Sequence, residues 1–175
     1  MAGHRDSLPQ LGEGLYLTDG GLETTLIFHE GLDLPDFAAF HLLQTPDGEA
    51  VLRKYFRTYA DIAKRFETGL ILESATWRAN LDWGTRLGYT PAMLDDVNRK
   101  AVHLLEEIRL DYETERTPVV VSGCVAGDPV ELGLQYLGIR QRLSRLNVMG
   151  GCCGTDHRHV QQIAEACSPI FRRSA

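Results

Sequence analysis

Pro118-Val119-Val120-Val121-Ser122-Gly123 is the stretch on which the fold turns. Three consecutive β-branched valines, opened by proline and stopped by serine and glycine, predict a short strand buried on both faces. Just downstream, Asp128 places a capping side chain before Pro129 at a first helical position, and Glu131 completes a capping-box-like spacing. A buried strand followed by a capped helix is one βα unit. The phrase recurs on both sides. Leu15 to Thr18 ends in Asp19-Gly20-Gly21, Leu70-Ile71-Leu72 ends in Glu73-Ser74, and Leu146 to Met149 ends in Gly150-Gly151. Thr45-Pro46 and Thr90-Pro91 open two further helices, and another begins near Thr155.

The helices carry apolar stripes at helical spacing. The first has Val51, Leu52, Tyr55, Phe56, Tyr59, Ile62, Ala63 and Phe66; the second has Leu94, Val97, Ala101, Leu104, Leu105 and Ile108. The third offers Val130, Leu134, Leu137 and Leu143, and the fourth Val160, Ile163, Ala164 and Cys167. Core packing explains these stripes without a cofactor. The resulting α/β order, βα four times over, predicts a parallel sheet, either a small open one or half of an eight-unit barrel. In both, ligands sit at the carboxyl ends of the strands.

The chain has 175 residues, enough for a single domain over 1–175, with the first ten or so residues and the last few expected to be flexible. A net charge of −6 argues against a nucleic-acid surface, and no apolar run is long enough to span a bilayer. The first ten residues lack the apolar stretch of a secretory signal, so a cytoplasmic location is expected. Four cysteines, two of them adjacent, do not read as a disulfide framework in that setting.

Two motifs on the predicted rim carry chemistry. In Gly150-Gly151-Cys152-Cys153-Gly154-Thr155, a tight turn aims two sulfurs at one point, a pattern suited to zinc. The competing reading is a glycine turn with two small buried thiols. In Thr18-Asp19-Gly20-Gly21-Leu22-Glu23-Thr24, the glycines let backbone amides approach a carboxylate and Asp19 is placed to hold an ammonium group. An ordinary turn with a capping aspartate is the alternative.

Taken together and in this order, the two motifs resemble the homocysteine S-methyltransferase family. Leu72-Glu73-Ser74-Ala75-Thr76-Trp77-Arg78-Ala79, Trp83-Gly84, Leu87-Gly88-Tyr89, Val121-Ser122-Gly123-Cys124-Val125 and Gly127-Asp128-Pro129-Val130-Glu131-Leu132-Gly133 extend the resemblance over nearly the whole chain. The resemblance implies a (β/α)8 TIM barrel, here partial, with Zn2+ held by three cysteines. Cys152 and Cys153 would be two of them, and Asp19, Gly20 and Gly21 would seat homocysteine. The implied reaction moves a methyl group from a donor such as S-methylmethionine to the homocysteine thiol, forming methionine. Trp77, Trp83 and Tyr89 are candidates to face a cationic donor through their rings.

The chain departs from the family at the third cysteine, which there follows an asparagine; no Asn-Cys pair exists here. The text after Val125 belongs just before the family's last strand, which implies an internal deletion near Val125/Ala126. Cys124 is the remaining candidate ligand. With the last strand beside the first, it would lie three strand spacings away, about 14 Å, against zinc–sulfur bonds of about 2.3 Å. Cys167, on a helix stripe, reads as packing. Three functions stay open: a methyltransferase impaired by loss of the mid-barrel, a non-catalytic remnant that binds zinc or a partner subunit, and a redox or metal-handling protein that uses the adjacent thiols. An incomplete barrel exposes strand edges and its inner sheet face, so a homo-oligomer is expected.

Overall fold

The computed structural model describes residues 8–125, 127–143, 146, 149–150 and 156–172. Strands β1 (Tyr16–Thr18), β2 (Gly69–Glu73) and β3 (Val119–Ser122) form one parallel sheet in the order β1-β2-β3. The register sets Leu17 beside Leu70 and Leu70 beside Val119, with Thr18, Ile71 and Val120 forming the neighbouring row. Four longer helices follow the strands: α1 (Pro46–Phe66), α2 (Pro91–Tyr112), α3 (Pro129–Arg142) and α4 (His157–Arg172). Among the described residues, no helix is long and apolar enough to cross a membrane.

The expected helix starts are found where the caps place them. Thr45 Oγ1 accepts from the Gly48 N–H at 3.1 Å, Thr90 Oγ1 from Met93 at 3.3 Å, and Asp128 Oδ1 from Val130 at 2.9 Å. In each case proline takes the first helical position, where its missing N–H would be unsatisfied anyway. Helix α1 stops at Glu67, which turns left-handed at φ 51° while its N–H closes onto the last-turn carbonyls.

Helices α1 and α2 pack against each other and against one face of the sheet. The α2 stripe is buried in full, and Leu52, Tyr55, Phe56, Ala60 and Ala63 of α1 meet Leu70, Leu72 and Val119 in the same core. Each fully buried Leu or Phe here contributes about 1.5–3 kcal/mol of transfer free energy. Ile62 and Phe66 of α1 stay exposed, contrary to expectation.

Burial of the strands is one-sided and most complete on β2, which corrects the expectation of double-sided burial. Along β2, Leu70 and Leu72 are sealed beneath the helices while Ile71 and Glu73 remain half-buried. The physical reason is the placement of α1 and α2 on the same side.

The C-terminal part departs further. The fourth expected strand is not found at its described residues. Leu146 and Met149 lie in no strand, and residues 147 and 148 lie outside the described ones. Met149 packs instead into a second cluster with Leu132, Ile163 and Cys167, formed where α3 lies on α4. That pairing selects a different face of α3 from the one expected. Leu132 and Gly133 are buried and the expected Leu137 packs half-buried beside them, whereas Val130, Leu134 and Leu143 are exposed. On α4, Ile163 and Cys167 are buried as expected, but Val160 and Ala164 are not.

Candidate functional site

The ends of the three strands supply the site. Immediately after β1 come Asp19, Gly20 and Gly21; β2 ends at Glu73, with Ser74 just beyond it; Cys124 follows β3. Together with Glu23 and Trp77 they line one pocket of about 160 Å3. The chain therefore brings the expected Asp19-Gly20-Gly21 element and Cys124 to the same opening.

Asp19 is held by a main-chain donor at one oxygen and lies near a hydroxyl at the other. Its Oδ1 accepts from the Glu73 N–H at 3.3 Å, and its Oδ2 lies 3.5 Å from the Tyr55 hydroxyl. That hydroxyl donates to the Gly20 carbonyl at 2.7 Å, so α1 reaches up to fix the turn after β1. A side chain at Gly20 would run into the Tyr59 hydroxyl, its Cβ only 2.5 Å away. Burial pushes the Asp19 carboxyl up to about 6, and the negative charge of Glu73 adds to the effect. Glu23 is raised for the same first reason, with Arg78 pulling the other way. Burial likewise raises the Tyr55 phenol. A pocket with three carboxyl groups and one aromatic wall favours a cationic group.

Two hydroxyls missed by sequence reasoning hold Cys124. The Cys124 N–H donates to Ser74 Oγ at 3.1 Å, and Thr76 Oγ1 donates to the Cys124 carbonyl at 2.8 Å. With the Thr76 proton so used, the 2.7 Å contact between Ser74 Oγ and Thr76 Oγ1 must be donated by Ser74. This circuit ties the β2 end to the β3 end. Both hydroxyls are buried, at 4 % and 6 % exposure, so each bond replaces one to water. Sequence offered a weak signal: two hydroxyl residues at alternate positions directly after a predicted strand.

Of the three aromatic candidates, Trp77 alone lines this pocket, and its ring carries the Arg78 guanidinium 4.5 Å from its centre. Trp83 is covered by two guanidinium groups, Arg78 at 3.8 Å and Arg86 at 4.8 Å from its ring centre. Tyr89 is buried at 4 % exposure with its hydroxyl 2.7 Å from His41 Nδ1. Tyr89 is thus packing, and Trp83 is an arginine stacking platform.

Cys152 and Cys153 lie outside the described residues. Among the described residues, no group of three or more His, Cys, Asp and Glu side chains is arranged to hold a metal ion. Cys124 is the described thiol on the rim; it is half-buried and in no disulfide. Its sulfur is a donor of the type zinc takes, and the other two candidate thiolates lie outside the described residues. Cys167 is sealed in the second cluster, its thiol raised by burial, and serves as packing.

Comparison with known proteins identifies the family. A family model described as homocysteine S-methyltransferase matches residues 16–136, which include all three strands, Asp19 to Gly21 and Cys124. The match ends before Gly150. Neither a search of characterised proteins nor a search of solved structures finds a match. With well over half of its length matched, the chain belongs to the homocysteine S-methyltransferase family.

Proposed function

We propose that the chain transfers a methyl group from a donor such as S-methylmethionine to the thiol of homocysteine, forming methionine, with Zn2+ as cofactor. The observation that carries the reading is the shared pocket: the Asp19-Gly20-Gly21 turn and Cys124 face one opening at the carboxyl rim. Asp19 and Glu73 offer a negative seat for the amino group of homocysteine, and the side-chain-free backbone at Gly20 and Gly21 admits its carboxylate. Cys152 and Cys153, with Cys124 as the third thiolate, would hold the ion. When bound, zinc lowers the pKa of a thiol so that thiolate is present at neutral pH.

The parallel βα units read as part of a (β/α)8 barrel forming one domain, in a cytoplasmic setting that keeps thiols reduced. Thr18, Ile71 and Val120 form a row on the sheet face away from the helices, and it is exposed or half-buried. Parallel sheets are covered on both sides, so two copies closing over these faces give a homodimer.

The test uses one reduced preparation of the full chain. Zinc per chain is measured first, then methionine formed from homocysteine and S-methylmethionine. Stoichiometric zinc with turnover supports the reading. Zinc without turnover leaves a metal-binding remnant, and a zinc content near zero removes the assignment.

A further inference from the structure

The segment that follows β3 creates a second and larger cavity, which the proposed methyl transfer leaves unassigned. It has a volume of about 580 Å3 and runs along α3, with the start of α2 and the loop after β2 opposite. Leu81, Pro91, Leu94, Val125 and Ile139 make its walls largely apolar. Size and lining are those of a small-molecule site.

Two charged groups of α3 line it, Glu131 in the first turn and Arg142 in the last. At about 1.5 Å rise per residue they stand about 16 Å apart along the helix axis. Arg142 has no hydrogen bond or ion pair among the described residues. Glu131 accepts from Gln135 at 3.2 Å and has Asp82 and Asp128 close by, so this end is strongly negative. The other lining carboxylate, Asp95, is already paired with Arg99 at 3.0 Å.

Gly138 lies on the wall between these ends. A Cβ built there meets nothing within 4 Å. Glycine inside a helix costs about 1 kcal/mol relative to alanine, and no packing contact at this position requires it. What its missing side chain preserves is open space in the cleft.

We propose that this cleft binds a linear dipolar small molecule with an apolar body, its ammonium group at Glu131 and its carboxylate at Arg142. The site shares Cys124 with the acidic pocket but needs no metal, so zinc-free protein binds such a molecule as well as zinc-loaded protein does.

Isothermal titration calorimetry on the full chain at pH 8 provides the test, with aminohexanoic, aminooctanoic and aminododecanoic acids carrying a terminal amine as probes. One site per chain is expected, with affinity for the longest probe at least about tenfold above the shortest. Arg142→Gln and Glu131→Gln should each weaken that probe about tenfold, through loss of a charge-assisted bond. Gly138→Leu should abolish binding without lowering Tm, while Gly138→Ala, a helix-propensity control, retains it. Absence of heat with every probe would overturn the proposal. So would equal affinity for dodecanoic acid, or unchanged binding in Gly138→Leu. Should Gly138→Leu lower Tm, the two charge variants decide by the same criteria.

Discussion

The main-chain N–H of Glu73, the last residue of β2, donates to Oδ1 of Asp19, the first residue beyond β1, at 3.3 Å. The bond continues the sheet by one side-chain rung past the last register pair, Thr18 with Ile71. It holds a half-buried carboxylate at the mouth of the acidic pocket, where its ionisation is opposed by burial.

Asp19 therefore couples stability to pH. Its folded value of about 6 lies above the unfolded value of about 3.9. The stability it contributes is fully present below about pH 4 and is lost as the pH rises through 6. Asp19→Asn should raise stability by about 1–2 kcal/mol above pH 7, after allowance for partial exposure, with the gain vanishing near pH 4. Urea unfolding at several pH values measures this. The same variant should raise the KM for homocysteine about tenfold, because the ammonium group loses its counter-charge.

Tyr55→Phe removes the donor to the Gly20 carbonyl at 2.7 Å. We expect a loss of about 1–2 kcal/mol in denaturant unfolding. The freed turn should also weaken homocysteine binding more than it changes kcat, since the contact positions the turn and does not touch the reacting sulfur.

Thr76→Val breaks the hydroxyl circuit around Cys124 while keeping the side-chain shape. The Cys124 carbonyl loses its 2.8 Å donor, and Ser74 loses its acceptor. Stability should fall by about 1–3 kcal/mol. Alkylation of Cys124 by iodoacetamide, followed by peptide mass spectrometry, should become several-fold faster as the loop loosens.

Gly48→Ala tests how tightly α1 enters the core. An added Cβ would sit 2.2 Å from the Leu42 carbonyl oxygen, a backbone atom that cannot swing aside. The expected cost is about 1–3 kcal/mol despite alanine's better helix propensity. A Tm equal to that of the parent chain would refute the packing.

Cys152→Ser and Cys124→Ser divide the proposed metal site. Both should lower zinc content per chain and abolish methionine formation, with the fold retained by circular dichroism. An unchanged zinc content in Cys152→Ser would remove the paired-thiol assignment, and in Cys124→Ser the third-ligand assignment.

Much of this was legible in the chain itself. The first three strand positions, the threonine and aspartate caps before proline, and the α2 stripe from Leu94 to Ile108 depend on local backbone chemistry and period. They are found as read, to within a residue or two. The Asp19-Gly20-Gly21 turn was recognisable because such a turn needs these residue types wherever it occurs. Which face of α3 is buried was not legible. Val130 and Leu134 have the spacing of a core stripe, yet α4 selects Leu132 and Gly133, because packing depends on the partner helix and not on period alone.

The sequence by itself determined the first three βα units, the family and the residue types on the rim, since each follows from short-range patterns of capping, hydrophobicity and turn chemistry. Only the tertiary structure decided that Cys124 shares a pocket with Asp19, and that Ser74 and Thr76 anchor it. Those relations join residues far apart in the chain, and spacing along a polymer carries no measure of distance once the backbone turns back on itself.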